Sequence, residues 1–345
     1  MRKIQLMKPW ITDVERQAVA DVLDSGWLTE GEKVAEFEEK LAKYVGVKHA
    51  VVVPNATIGL ELAISSVSPP GSDVVVPAFS HPATMLAARR AGCYVWFNDV
   101  CRSTGNINEY SFDDGYGDID VVVPVSWGGT PLSPEFYASA RERQCIIVED
   151  AACSLGSSDR LGVKTGCHAD ATVFSFHPRK IITTGEGGVI VTDLGSLADR
   201  VRAMKNFGQR GGTNAKMSDI NAAIGVEQLN RIDDMVNMRL NKAKLYDELL
   251  RDTPYSWRGP NVGRRTYQSY CAYVHHRDRL IRDLAKLGIE TQVGTYYIAS
   301  VSLPFLNARA LADNLLTLPL HHEITEEDQE FVVESIVALL KSYEV

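Results

Sequence analysis

Val51-Val52-Val53-Pro54-Asn55-Ala56-Thr57-Ile58-Gly59-Leu60 decides how the chain is read. Three β-branched residues make a short strand with no polar alternation. Small polar residues turn the chain, and an apolar helical pattern fills residues 58–66. A strand that is apolar at every position is covered on both faces. The same unit returns on either side. Val74-Val75-Val76 precedes a helical stretch at 81–90, and Tyr94-Val95-Trp96-Phe97 follows it. Val121-Val122-Val123 and Ile146-Ile147-Val148 are further short apolar runs bounded by turn or polar residues. This alternation predicts an α/β fold with a mainly parallel sheet between helices, joined by right-handed crossovers. Ligands of such sheets lie at the carboxyl ends of the strands, so chemistry is expected just after each one.

Beyond that core the pattern changes. From Met217 to about Leu250 the chain reads as one long helical stretch, with Ile220, Ala223, Ile224, Val226 and Leu229 on a buried stripe. Breakers follow from Thr253-Pro254 to Gly263, and then come apolar segments at 267–274, 280–287 and 331–340. The expected division is a large domain over 1–245 and a smaller C-terminal α+β domain over 246–345.

Composition narrows the function classes. The 345 residues carry a formal net charge of −8, which argues against a nucleic-acid backbone as partner. No apolar run approaches the roughly 18 residues that span a bilayer, and Met1-Arg2-Lys3 is not followed by a signal-peptide core. Six cysteines (93, 101, 145, 153, 167 and 271) stand apart with no Cys-x-x-Cys pair, so neither a disulfide frame nor a metal site is expected. A cytoplasmic protein is the expectation.

Three strand ends carry candidate chemistry. At Val53 the turn Pro54–Thr57 opens a helix, whose free N–H groups and dipole suit a phosphate; Asn55 or Thr57 could equally just cap it. At Ile146-Ile147-Val148-Glu149-Asp150-Ala151-Ala152 a strand ends in two carboxylates. The commoner meaning is a cap for a helix beginning at Ala151; the functional one is a buried acid facing a ring nitrogen. In Phe174-Ser175-Phe176-His177-Pro178-Arg179-Lys180, followed by Thr183-Thr184-Gly185-Glu186-Gly187-Gly188, one lysine sits between two apolar strands (171–174 and Val189-Ile190-Val191). Most lysines are solvated charges and Gly-Glu-Gly-Gly is a fair hairpin turn, but a half-dry lysine suits Schiff-base chemistry. A phosphate cradle, an aspartate and a lysine at three strand ends describe a pyridoxal 5′-phosphate pocket.

With these motifs on the page, the chain resembles the DegT group of nucleotide-sugar aminotransferases, within the fold type I pyridoxal phosphate enzymes. The likeness runs from Ser25-Gly26-Trp27-Leu28-Thr29-Glu30-Gly31, through the three sites and Gly212-Thr213-Asn214-Ala215-Lys216-Met217-Ser218, to Leu318-Pro319-Leu320 and Thr325-Glu326-Glu327-Asp328. Its most specific element is Phe-Ser-Phe-His-x-x-Lys. The resemblance implies a seven-stranded large-domain sheet and a Schiff base between the cofactor and Lys180. It implies that Asp150 faces the pyridine nitrogen, and that Ser175, Ala56 and Thr57 meet the phosphate. His81 takes the place of the aromatic residue that stacks on the ring, against the plainer reading of a helix-cap histidine. Asn214 matches a position that reaches the neighbouring subunit's cofactor phosphate, which implies a homodimer with shared sites. Glu186 falls in the motif's turn without an assigned role.

The same resemblance implies ping-pong transfer of an amino group, from an amino acid such as glutamate to a keto-sugar nucleotide in polysaccharide biosynthesis. Arg179, Arg210 and Lys216 are candidates for the diphosphate, though solvated charge is the default for each. Some positions depart from the pattern. Cys153 replaces a Gln or His near the cofactor's phenolic oxygen, and a thiol is a poor donor. Ser126-Trp127-Gly128-Gly129 and Gly294-Thr295-Tyr296 differ on the substrate side, where Tyr296 is the candidate contact. The alternatives are amination of a keto-cyclitol or other cyclic ketone, a sugar dehydratase, or a non-catalytic regulatory relative. The dehydratases put His where Lys180 stands. A dinucleotide fold is disfavoured because no Gly-x-Gly-x-x-Gly follows the first strand.

Overall fold

The apolar runs become the sheet they predict. His49–Val53 (β1), Asp73–Pro77 (β2), Tyr94–Asn98 (β3), Val121–Val122 (β4), Ile146–Asp150 (β5), Ala171–Ser175 (β6) and Gly188–Thr192 (β7) form one seven-stranded sheet in the order β1-β7-β6-β5-β4-β2-β3. These come from a computed structural model that describes residues 3–112, 119–207, 212–257, 259, 261–299 and 305–343. The links from β6 through β5, β4 and β2 to β3 are parallel. β7 runs antiparallel to both its neighbours, so its first residue, Gly188, pairs with the last residues of β1 (Val53) and β6 (Ser175).

Both faces are covered, as continuous apolar strands require. On one face Val51, Val53, Val74, Val76 and Ile190 pack under the helices Ala56–Val67 (α3), Pro82–Arg90 (α4) and Gly195–Lys205 (α6). On the other, Ala50, Val52, Phe174 and Val191 meet Glu32–Val45 (α2) and Asp219–Asn230 (α7). Asp13–Ser25 (α1) lies along α7, and Pro134–Glu142 (α5) covers the strands nearer β3 through Phe136 and Ala140. Phe37, Leu41, Leu60, Ile64, Phe174 and Phe176 are fully buried. Each contributes about 1.5–3 kcal/mol of transfer free energy.

The C-terminal part builds a second core. Tyr270–Tyr273 (β8), Gln292–Val293 (β9) and Leu315–Leu318 (β10) form an antiparallel sheet with β10 in the middle. Ile232–Leu249 (α8), Arg277–Lys286 (α9) and Glu326–Tyr343 (α11) bury Tyr246, Leu280, Leu284 and Ile336 against it. Ile4 joins this core and pairs with Ile289, so the start of the chain packs on its end. Leu306–Asn314 (α10) contributes Ala308, Leu311 and Ala312 to the cluster that also holds Val75 and Phe136, and it touches β9. Among the described residues no helix is long and apolar enough to cross a membrane, and all six cysteines are free.

Two local expectations are corrected. The stretch from Met217 is not one helix: α7 ends and α8 begins at Arg231, whose backbone (φ −124°, ψ 18°) is non-helical. Its side chain is drawn to Glu15 and to the Trp10 carbonyl, so a tertiary knot overrides the periodicity. No helix starts at Ala151 either. Asp150 Oδ1 accepts the Ala152 N–H at 3.2 Å in a turn, with no helix behind it to cap. The division proposed at 245/246 falls inside α8, which continues unbroken to Leu249.

Candidate active site

The strand ends converge on a cavity of about 880 Å³. Ala56, Thr57, His81, Asp150, Cys153, Ser175, Arg179, Lys180, Glu186 and Tyr296 all line it. The cavity therefore collects residues spread over 240 positions of sequence, and each is delivered by an identifiable element.

The first is the start of α3. Asn55, not Thr57, is its cap: the Asn55 side chain accepts the Ile58 N–H at 2.9 Å. The earlier N–H groups of Ala56 and Thr57 have no acceptor within the helix, which is the usual anion-binding feature of a helix start. Gly188 makes this approach possible. A Cβ there would lie 2.8 Å from the backbone nitrogen of Ala56 and from the carbonyl carbon of Asn55. The β1–α3 turn thus rests directly on the start of β7, in a cradle that any side chain would fill.

The second is the end of β5. Asp150 is only 5 % exposed. Its Oδ2 accepts from the Thr84 hydroxyl at 2.7 Å and its Oδ1 from the Ala152 N–H. The neighbouring Glu149, on the alternate face of the strand, is wholly buried and serves structure. It accepts from Tyr137 at 2.9 Å and from Ser126, and burial pushes its carboxyl up. Strand alternation thus separates the two carboxylates that sequence leaves side by side.

The third is the β6–β7 connection. Phe176 N–H donates to Gly187 O at 2.8 Å and Thr184 N–H to Phe176 O at 3.0 Å, closing the base of the loop. Asn221 of α7 pins its tip by donating to the Thr184 and Glu186 carbonyls. The Lys180 N–H donates to His177 O at 2.8 Å, and its ammonium lies 3.1 Å from Cys153 Sγ. Lys180 is therefore half-buried and directed inward, not solvated. Ser175 Oγ accepts the His177 N–H at 3.4 Å and also lines the cavity. Glu186 stands exposed at the rim, its Oε1 3.9 Å from His177 Nε2.

His81 is both a helix cap and a cavity-lining residue. It is the cap of α4, with Nδ1 accepting the Ala83 N–H at 3.2 Å, and it lines the cavity edge-on to Tyr296 at 6.1 Å. Burial lowers the pKa of its imidazole; Asp150 opposes that shift, and Lys180 and Arg179 reinforce it. His177 is lowered by burial too, with Glu186 opposing. Two neutral rings therefore flank the lysine near neutral pH.

Other candidates lie elsewhere. Arg179 is at the cavity mouth, donating to Gln292 Oε1 at 2.7 Å. Asn214 is exposed, bridged to Asn206, and does not line this cavity; Lys216 is beside Phe207 at 5.5 Å, also outside it. Arg210 lies outside the described residues. Sequence reading missed Thr84 and Gln268. Thr84 is hidden within a helical stretch, where a hydroxyl gives no periodic signal. Gln268, buried in the cavity wall, donates to the Arg179 carbonyl and comes from a distant segment.

The donor set and shape suit pyridoxal phosphate: a backbone cradle for the phosphate, an acid placed for the ring nitrogen, and an amine between them. Comparison with known proteins bears directly on this. The model of the DegT/DnrJ/EryC1/StrS aminotransferase family matches residues 9–337. The chain belongs to that family. Among curated relatives, the GDP-perosamine synthase of Caulobacter vibrioides is 29 % identical, with 98 % of each chain covered. Among solved structures, DesI, determined in the presence of its TDP-sugar product, is 29 % identical at a TM-score of 0.91, covering all of this chain and 95 % of that one. A putative sugar aminotransferase from Streptococcus pneumoniae in its PLP form is 25 % identical at a TM-score of 0.90, covering 99 % of each. As a member of the DegT/DnrJ/EryC1/StrS family the protein is a pyridoxal phosphate-dependent aminotransferase of fold type I.

Proposed function

We propose that this aminotransferase moves an amino group from an amino acid, glutamate by preference, to a keto-sugar carried on a nucleotide. The observation that carries the reading is the meeting of Lys180, Asp150 and the α3 start around one cavity. Relatives whose names specify nucleotide sugars support the acceptor class.

When bound, pyridoxal phosphate supplies an electron sink for the carbanion formed at the substrate's α-carbon. The chain supplies the rest. The N–H groups of Ala56 and Thr57, with the Ser175 hydroxyl, hold the phosphate. Asp150 would accept a hydrogen bond from the ring N–H and so keep the proton on the nitrogen and the ring cationic. His81 would stack on the ring, and Cys153 would stand on the side of its phenolic oxygen. Lys180 Nζ, the amine in the cavity, would take a proton from the substrate's α-carbon and give it back, as base and then acid. Arg179 and Tyr296 at the mouth, with Glu186, contact the nucleotide-sugar. The exposed Asn214 serves the neighbouring subunit's site in a cytoplasmic homodimer, and Lys216 near it is a candidate for the substrate diphosphate. Residues 1–245 and 246–345 are the large and small domains of each subunit.

Replacing Lys180 by Ala should abolish both the yellow absorption of the reconstituted enzyme and turnover with glutamate and a panel of nucleotide keto-sugars read by mass shift. Wild-type turnover in Lys180→Ala would refute the reading.

A further inference from the structure

Behind the acid that faces the ring lies a buried pair of hydroxyls. Thr84 Oγ1 is 2.7 Å from Asp150 Oδ2, and Ser80 Oγ is 2.7 Å from Thr84 Oγ1. Ser80 and Thr84 have no exposed surface at all. Chemistry fixes the direction of this chain. A carboxylate only accepts, so the single proton of Thr84 points to Asp150, and Ser80 must then donate to Thr84.

The consequence is geometric and electronic. Asp150 has one fixed donor at each oxygen, Thr84 at Oδ2 and the Ala152 N–H at Oδ1, which sets the plane of the carboxylate. Donors to a carboxylate favour its charged form over the acid. Thr84 and the Ala152 N–H thereby hold the carboxylate in one orientation toward the place of the ring nitrogen. The residue two removed from the ring thus acts through Asp150 without touching the reacting atoms. Thr84 stands in the first turn of α4, three residues after the cap His81. One helix therefore serves the ring twice, through a cap side chain at its face and a hydroxyl behind its acid. Ser80, in turn, pairs with Tyr296.

We infer that Thr84 is a positioning residue for Asp150, itself oriented by Ser80, and that the pair fixes how Asp150 meets the nitrogen of the cofactor ring. This rests on the cofactor reading given above. The titratable groups that face Asp150 are His81 across the cavity and Glu149 beside it on β5, and neither is altered by the variants below.

The test is Thr84→Val in the holoenzyme, an isosteric change that removes only the hydroxyl. Its kcat should fall by about ten- to a hundredfold, the range for losing a hydrogen bond to a charged group, with little change in the KM for either substrate. The absorption spectrum of the bound cofactor, followed across a pH series, should shift relative to wild type. Thr84→Ser should restore both. Ser80→Ala, which leaves the Thr84 hydroxyl unoriented, should move spectrum and kcat in the same direction by less. A wild-type spectrum and kcat in Thr84→Val overturns the inference. Should that variant not fold, a wild-type spectrum and kcat in Ser80→Ala overturns it instead. The Lys180→Ala result is independent: if Lys180 proves essential while Thr84→Val behaves as wild type, only this inference falls.

Discussion

A missing side chain is as specific a feature of this site as any that is present. At Gly188 the chain brings the start of β7 against the backbone of Asn55 and Ala56, and a methyl there would meet main-chain atoms at 2.8 Å. Backbone cannot swing aside as a flexible side chain can. Gly188→Ala should therefore push the β1–α3 turn outward, costing about 1–3 kcal/mol in stability. It should also weaken pyridoxal phosphate binding by roughly tenfold or more, because the N–H groups of the turn lose their aim. Thermal unfolding and titration of apoenzyme with cofactor check the two effects. An unchanged cofactor affinity would show that the turn does not hold the phosphate. Residues of this kind were partly legible in the sequence. Lys180, Asp150 and the Asn55–Thr57 turn could be named because each sits where an apolar run stops. Thr84 could not, because its meaning depends on which residue α4 sets beside it. The same holds for the split between Glu149 and Asp150, which pleat alternation decides only once the strand's faces are known.

Among the elements, the junction of α1 with α7 and α8 has a measurable signature. Glu15 is 1 % exposed and sits in the first turn of α1, where its carboxylate takes the Thr12 N–H at 2.8 Å and the Thr12 hydroxyl at 2.6 Å in a capping box. From the far side it accepts from Gln228 at 2.6 Å and from Arg231. Burial alone would raise this carboxyl; the hydrogen bonds from Thr12, Arg231 and Gln228 outweigh it and bring the pKa down to about 2 from 4.5. A carboxyl depressed in the folded state contributes stability above its ordinary value, and loses that contribution as pH falls from about 4.5 through about 2. Glu15→Gln should cost about 3 kcal/mol at neutral pH, because it leaves Arg231 without its anion. The difference from wild type should shrink through that acid window, as denaturant melts at several pH values would show. A constant difference down to the most acid pH would refute the assignment. The knot also explains the break in the long helix: periodicity from Met217 to Leu250 is continuous, yet at Arg231, whose side chain reaches Glu15, the backbone leaves the helix. The strands of the large sheet and their order of appearance were readable from apolar runs, whereas β9, β10 and the place of Ile4 in the second core were not. A break dictated by a partner more than 200 residues away was not.

For the molecule as a whole, the proposed dimer can be tested by mixing two damaged chains. Asn214 is exposed and away from its own cavity. If it serves the neighbouring subunit, a hybrid of Lys180→Ala and Asn214→Ala protomers contains one site with both residues intact. Co-refolding equal amounts should yield about a quarter of wild-type activity by random pairing, more than either variant alone. No gain over the better single variant would place Asn214 outside the partner's site. At this scale the two cores are also stitched together. Phe79 and Ser80, after β2, pair with Tyr297 and Tyr296 of the C-terminal part, and the Ile298 N–H donates to Ala78 O at 2.9 Å. The segment that carries His81 and backs up Thr84 is thus hydrogen-bonded to the wall that faces an incoming sugar. If Tyr296 meets the acceptor as proposed, a bulky sugar pressing on that wall would strain the strip that carries His81, and acceptor fit would be coupled to ring placement.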